Sequence, residues 1–317
     1  DGGDLVNLVP VTYKGGIYRH DEIMDLIEDL GGYIIQKHVL AQEVVLQALV
    51  PREDIELIAR VGKPLTGEIT PSPLVGTEIA VVTMSLEIHH LPHASCDVAE
   101  YVRRMGAKTN MVGLARGFGQ RIAQLNDEER DVINEHDLAV YLLGDFETCI
   151  EHKFPVLRRG IHIPIIVLGG PSTETLMRII DPPVDGYVGN VGRFMHRTKE
   201  SEELEMLDQV VTEITRVLDK KRDAIAKDPP SVSPARLMDI ISSQVDEIHE
   251  VLSPTPITVQ MTGLRVKLPY DRFAPLLKEI IIEEGITIGE VAEILPSRMR
   301  DYILIRIKPF SETNIMV

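Results

Sequence analysis

Tryptophan is absent from this chain of 317 residues, and phenylalanine and tyrosine are sparse, at 6 and 8. The chain therefore lacks the aromatic platforms on which a single-stranded nucleic-acid binder stacks successive bases. Positive charge is short as well: 33 Lys and Arg stand against 49 Asp and Glu, for a net charge of −16. That balance opposes nucleic acid and anionic membrane and favours protein or small-molecule partners. Cysteine occurs only twice, at Cys96 and Cys149. Two thiols make no disulfide framework, which fits a reducing cytoplasm, and they are too few for a four-cysteine iron-sulfur cluster held by this chain alone. No apolar run reaches the roughly 20 residues that span a bilayer, and the first residues are acidic and glycine-rich rather than a basic segment followed by an apolar one. A soluble cytoplasmic protein with two or three domains and a sizeable core is expected.

What is present is concentrated. Residues 89–97, His-His-Leu-Pro-His-Ala-Ser-Cys-Asp, gather three imidazoles and one of the two thiols. Alternating β-type residues precede them (Ile79, Val81, Val82) and an amphipathic run follows (Val98, Tyr101, Val102, Met105) before Gly106. The segment therefore falls between a strand and a helix. Imidazole and thiolate suit zinc, iron or an iron-sulfur centre rather than magnesium or calcium. With Ser95 as N-cap, Cys96 falls in the first helical turn, where unpaired N–H groups and the helix dipole favour an anionic ligand atom. Cys96 with at least one of His89, His90 and His93 is the expected metal or cluster site. Adjacent His89 and His90 would face opposite sides of a strand, so both serve only if the strand has ended. The spacing matches no standard zinc signature. Cys149, in Phe-Glu-Thr-Cys-Ile-Glu-His, reads equally as a small core residue of a helix or as an alternative ligand.

The expected fold class is α/β in several parts. Residues 1–72 read as a ferredoxin-like α+β domain: strands at 8–13, 33–38, 43–50 and 65–69, helices at 21–30 and from Pro51. After a turn-rich linker at 71–76, residues 73–198 alternate strand and helix as a doubly wound parallel sheet. Its strands are expected at 78–83, 109–114, 138–143, 163–168 and 186–188, with helices from Cys96, over 127–136 and through Cys149. Residues 199–252 read as a charged amphipathic helical segment with Leu204, Leu207, Val210, Val211, Ile214 and Leu218 on one stripe, core being its default environment, and with a linker at 227–234. Residues 253–317 read as a small α/β domain with strands at 257–261, 264–268, 286–295 and 302–307 and a helix at 273–284.

In a doubly wound sheet ligands bind beyond the carboxyl ends of the strands. The five loops expected there carry the histidine-cysteine segment; then Gly113, Arg116, Gly117, Gly119 and Arg121; Gly144 and Asp145; Gly169 and Gly170; and Gly189, Gly192, Arg193 and His196. Glycine permits close backbone approach and arginine offers charge to an anion. Gly117 to Gly119 lacks the full dinucleotide spacing, so nucleotide binding is the weaker reading. Arg116, Arg121 and Arg193 would set positive charge beside the histidine-cysteine loop, which suits an anionic cluster or substrate.

Tyr-Lys-Gly-Gly-Ile-Tyr-Arg-His (13–20), Ile-Glu-Asp-Leu-Gly-Gly-Tyr (27–33), the stretch 89–101 and Gly-Ala-Lys-Thr-Asn-Met-Val-Gly-Leu-Ala-Arg-Gly (106–117) resemble methanogenesis marker protein 7. The resemblance covers at least residues 11–225, in a family of methane-metabolising archaea. It implies a non-catalytic electron-transfer and scaffold subunit of the ATP-dependent complex that reduces the nickel tetrapyrrole of methyl-coenzyme M reductase. Implied partners are that reductase, its operon protein C, marker proteins 3 and 17 and an ATP-hydrolysing component. The implied cofactor is a complex, nitrogenase-type iron-sulfur cluster, which takes few protein ligands and is open to sharing with a partner subunit. The residues themselves nominate Cys96 as thiolate ligand with His93 or His90, and Arg116 and Arg121 as outer groups. A zinc or iron enzyme at the same loop and a cofactor-free structural adaptor are the alternatives.

Overall fold

The computed structural model describes residues 8–39, 41–83, 94–113, 125–191, 200–283 and 285–317, without the side chains of 200–202. It is mixed α/β, with one parallel and several antiparallel sheets. The chain divides into two units: the part up to Thr77 together with Ile225–Val317, and Glu78–Ala224.

The first unit begins with β1 (Leu8–Gly16), α1 (His20–Asp29), β2 (Tyr33–Val39), β3 (Glu43–Pro51), α2 (Ile55–Gly62) and β4 (Glu68–Pro71). The four strands are antiparallel in the order β2-β3-β1-β4, the split β-α-β arrangement that the element order predicts. Period-two alternation turns Val11 and Tyr13 of β1 and Val44, Leu46, Ala48 and Val50 of β3 onto one face, where they pack with Ile23 and Ile27, one helical turn apart on α1, and Ile58 of α2. Pro51 closes β3 instead of opening a helix, since its extended backbone leads first into a tight turn at Arg52–Asp54. The strand expected at 65–69 starts at Glu68, because Lys63–Leu65 form another tight turn and Thr66 takes a left-handed backbone.

Tyr13 dominates this core. A methyl group added at Gly15, Gly62 or Gly67 would run into its ring or hydroxyl, so the three glycines are there for close approach to the phenol. The hydroxyl is buried with no partner among the described residues, and burial pushes its pKa up.

The second unit follows as β5 (Glu78–Thr83), α3 (Ala94–Arg104), β6 (Lys108–Gly113), α4 (Asp127–Asn134), β7 (Leu138–Leu142), α5 (Glu147–Leu157), β8 (Ile165–Leu168), α6 (Thr173–Ile179), β9 (Gly186–Val188) and α7 (Glu200–Lys227), whose last turn passes into the first unit. All strands are parallel, in the order β6-β5-β7-β8-β9. Strands covered on both faces need apolar residues at successive positions, which is how β5, β7 and β8 read. On one face Ala80, Val82, Tyr141 and Val167 meet Ile133 of α4, Phe154 of α5 and Leu176 of α6. Asn126 and Glu129 form a reciprocal capping box that starts α4. On α7, Leu207, Val210, Ile214 and Leu218 are buried as the core reading expects, whereas Leu204 is exposed. Among the described residues no helix is long and apolar enough to cross a membrane.

The first unit resumes with α8 (Pro234–Gln244), α9 (Glu247–Glu250), β10 (Ile257–Gln260), β11 (Gly263–Val266), α10 (Tyr270–Glu279), β12 (Ile281–Glu283), β13 (Ile286–Thr287), α11 (Ile288–Val291), β14 (Ala292–Pro296), β15 (Ile303–Ile307) and α12 (Phe310–Thr313). An antiparallel sheet runs β10-β11-β15-β14, and β12 pairs with β13. The helix expected through 284 stops at Glu279, and the strand expected over 286–295 is broken by α11, which a Thr287–Glu290 capping box starts. Both expected linkers are packed: Leu74 and Val75 in the first, Ser231 and Val232 in the second, are buried. The Ser231 N–H and hydroxyl both donate to the Lys308 carbonyl at 2.9 Å, and the Val317 N–H donates to the Ser231 carbonyl at 2.8 Å.

Gly67→Ala is expected to overpack the Tyr13 site and lower stability by about 1–3 kcal/mol. Urea denaturation of the full chain checks this, and an unchanged midpoint would count against the close-approach role of the glycines.

Candidate functional site

The order β6-β5-β7-β8-β9 sends the chain from β5 outward to β6 and then back across to β7, so the direction of winding reverses between β5 and β7. Such a reversal opens a crevice at the carboxyl ends of the two strands, where ligands of doubly wound sheets bind. The elements that follow these strands are α3 and α5.

Each thiol of the chain is the third residue of one of these helices: Ala94, Ser95, Cys96 in α3 and Glu147, Thr148, Cys149 in α5. Both cysteines are exposed and unpaired. Cys149 is thus not a core residue. The buried stripe of α5 is Ile150, Phe154 and Leu157, and Cys149 lies beside that stripe. Cys96 occupies the first turn, as expected, but Ser95 is not the cap. Helix α3 already includes Ala94, so Ser95 lies inside the first turn, buried, with a hydroxyl that has no partner among the described residues. Phe146 at the head of α5 offers no side-chain cap and is itself exposed. Both helices therefore aim the positive ends of their dipoles at the carboxyl rim.

Helix α3 is held by Tyr101, whose hydroxyl donates to Asp208 of α7 at 2.5 Å. Burial and that carboxylate push the phenol up to about 12. Next to Cys96, the Asp97 carboxyl is raised by burial and by Glu203 of α7.

The loops after β7, β8 and β9 are stitched together. Gly170 N–H donates to the Gly144 carbonyl at 3.4 Å, Val191 N–H to Gly169 at 2.9 Å, Asn190 N–H to Pro171 at 3.0 Å and Gly189 N–H to the Thr173 hydroxyl at 2.8 Å. A methyl group at Gly170 would strike the Asp145 carboxylate, and one at Gly189 the backbone entering α6. Of the five loops expected at one rim, the three with Gly144 and Asp145, Gly169 and Gly170, and Gly189 do meet. Gly169, Gly170 and Gly189 serve loop packing, whereas a methyl group at Gly144 would meet nothing. His89, His90, His93, Arg116, Gly117, Gly119, Arg121, Gly192, Arg193 and His196 lie outside the described residues. Among the described residues no group of three or more His, Cys, Asp or Glu is placed to hold a metal ion.

The opposite end of the sheet carries a polar cluster that the sequence reading did not single out. The buried Glu78 carboxylate accepts from the Asn110 amide at 2.6 Å, and that amide also reaches His136 Nε2 at 2.9 Å. His136 Nδ1 lies 2.8 Å from the Val132 carbonyl, which assigns the proton to Nδ1 and leaves Nε2 as acceptor. Glu78 and Asp137 exchange bonds: the Glu78 N–H donates to the Asp137 carboxylate at 3.0 Å and the Asp137 N–H to the Glu78 carbonyl at 2.8 Å. Lys221 of α7 donates to Asp137 at 3.1 Å. An acid opening an apolar strand and a His-Asp pair just before another are the local signal for such a cluster.

The family model described as methyl-coenzyme M reductase operon protein C matches residues 8–280. The resemblance noted above put that description on a partner, whereas the match puts it on this chain. An uncharacterized protein of Methanocaldococcus jannaschii is 46% identical over 304 residues, covering 96% of this chain and 95% of that protein. Solved structures are more distant. A pilus assembly protein of Sinorhizobium meliloti (16% identity, TM-score 0.24) covers 41% of this chain and 98% of its own. Glutamyl-tRNA reductase of Methanopyrus kandleri (9% identity, TM-score 0.21) covers 76% and 84%. At such scores neither bears on fold or function.

Two outcomes are expected of the isolated chain. Iodoacetamide should alkylate Cys96 and Cys149 without denaturant, as mass spectrometry would show; protection of either thiol until unfolding would contradict its exposure. Asp97→Asn should raise the melting temperature at neutral pH. The folded pKa of Asp97 is raised, so the carboxylate form opposes folding above it, and the gain should vanish in acid, where Asp97 is protonated in both states.

Proposed function

The chain belongs to the methyl-coenzyme M reductase operon protein C family, and from that premise we propose that it is an electron-transfer and scaffold subunit of the ATP-dependent assembly that activates methyl-coenzyme M reductase. Within the family the marker protein 7 motifs favour a branch that works beside operon protein C itself, marker proteins 3 and 17 and the ATP-hydrolysing component. The observation that supports the reading is the exposed thiol of Cys96 in the first turn of α3, the helix that follows β5 at the reversal of winding.

A soft, exposed sulfur at the positive end of a helix dipole fits one ligand position of an anionic iron-sulfur cluster. Cys96 would hold such a cluster with His93 or His90, and Arg116, Arg121 and Arg193 would offset its negative charge. A bound complex cluster supplies one-electron relay chemistry at low potential. The chain's own part is to fix the sulfur: Tyr101 ties α3 to α7 through Asp208, and the buried pairing of β5 holds the strand that leads to α3. A chain with two thiols leaves coordination to its neighbours, so the site would be completed at a subunit interface.

The test is iron content and visible absorption of the anaerobically co-purified complex. Cys96→Ala is expected to remove most of the iron and the broad iron-sulfur absorption, whereas the wild-type chain expressed alone should hold little. Wild-type iron in Cys96→Ala rejects the ligand assignment. A single colourless metal per chain points instead to a metal-dependent enzyme, and no metal at all to an adaptor.

A further inference from the structure

We draw no further inference here: the strongest candidate, the first turn of α3 with the buried Ser95 hydroxyl that has no partner among the described residues, carries nothing because Ser95 continues the inward stripe of Val98, Ala99 and Val102 and so faces the packed sheet rather than a ligand.

Discussion

Burial of β5 between two parallel neighbours is the constraint on which the second unit depends. All six of its residues are buried, Glu78 among them, and its register is fixed by β6 on one side and β7 on the other. A carboxylate taken out of water without partners costs several kcal/mol, and that of Glu78 accepts from the Asn110 amide, while the Glu78 backbone is bonded to Asp137. Those bonds tie the amino ends of β5 and β7 together. Once the amino ends are tied and the strands run parallel, the carboxyl ends must emerge side by side. Helices α3 and α5 then begin at one rim, each with a thiol in its first turn. The start of both helices at one end of the sheet thus follows from a clamp at the other.

Elements whose residues repeat with a single period were legible in the sequence. The alternation along β1 and β3, the turn-spaced Ile23 and Ile27 of α1 and the unbroken apolar runs of β5, β7 and β8 each specify one local structure and one buried face. Chemistry alone leaves Cys149 open between core residue and ligand, because a thiol inside a helix is usually core. The periodicity said otherwise, since Ile150, Phe154 and Leu157 already fill the inward stripe. Pro51 was misjudged because proline suits both a helix start and a strand end, and only the backbone geometry of the following turn decides. The Pro-Pro-Ser-Val-Ser-Pro stretch has the composition of a linker. Its packing depends on Lys308 and Val317, far along the chain, and no local pattern reports such partners.

Membership of the operon protein C family ties this fold to methyl-coenzyme M reductase, while the chemistry rests on which residues reach the rim. Of the ligands nominated from sequence, Cys96 and Cys149 are described, and both are exposed in the first turn of their helices.

The stitched loops after β7, β8 and β9 have a consequence for inheritance. Gly170 leaves room for the Asp145 carboxylate, and Gly189 for the backbone entering α6, while shared hydrogen bonds run from Gly144 through Gly169 to Val191. A lineage that enlarged residue 170 would have to give up the side chain at 145, and one that enlarged residue 189 would have to reroute the turn before Thr173. Substitutions in these three loops are therefore selected as a set, and descendants of this chain should change them together or leave all of them alone.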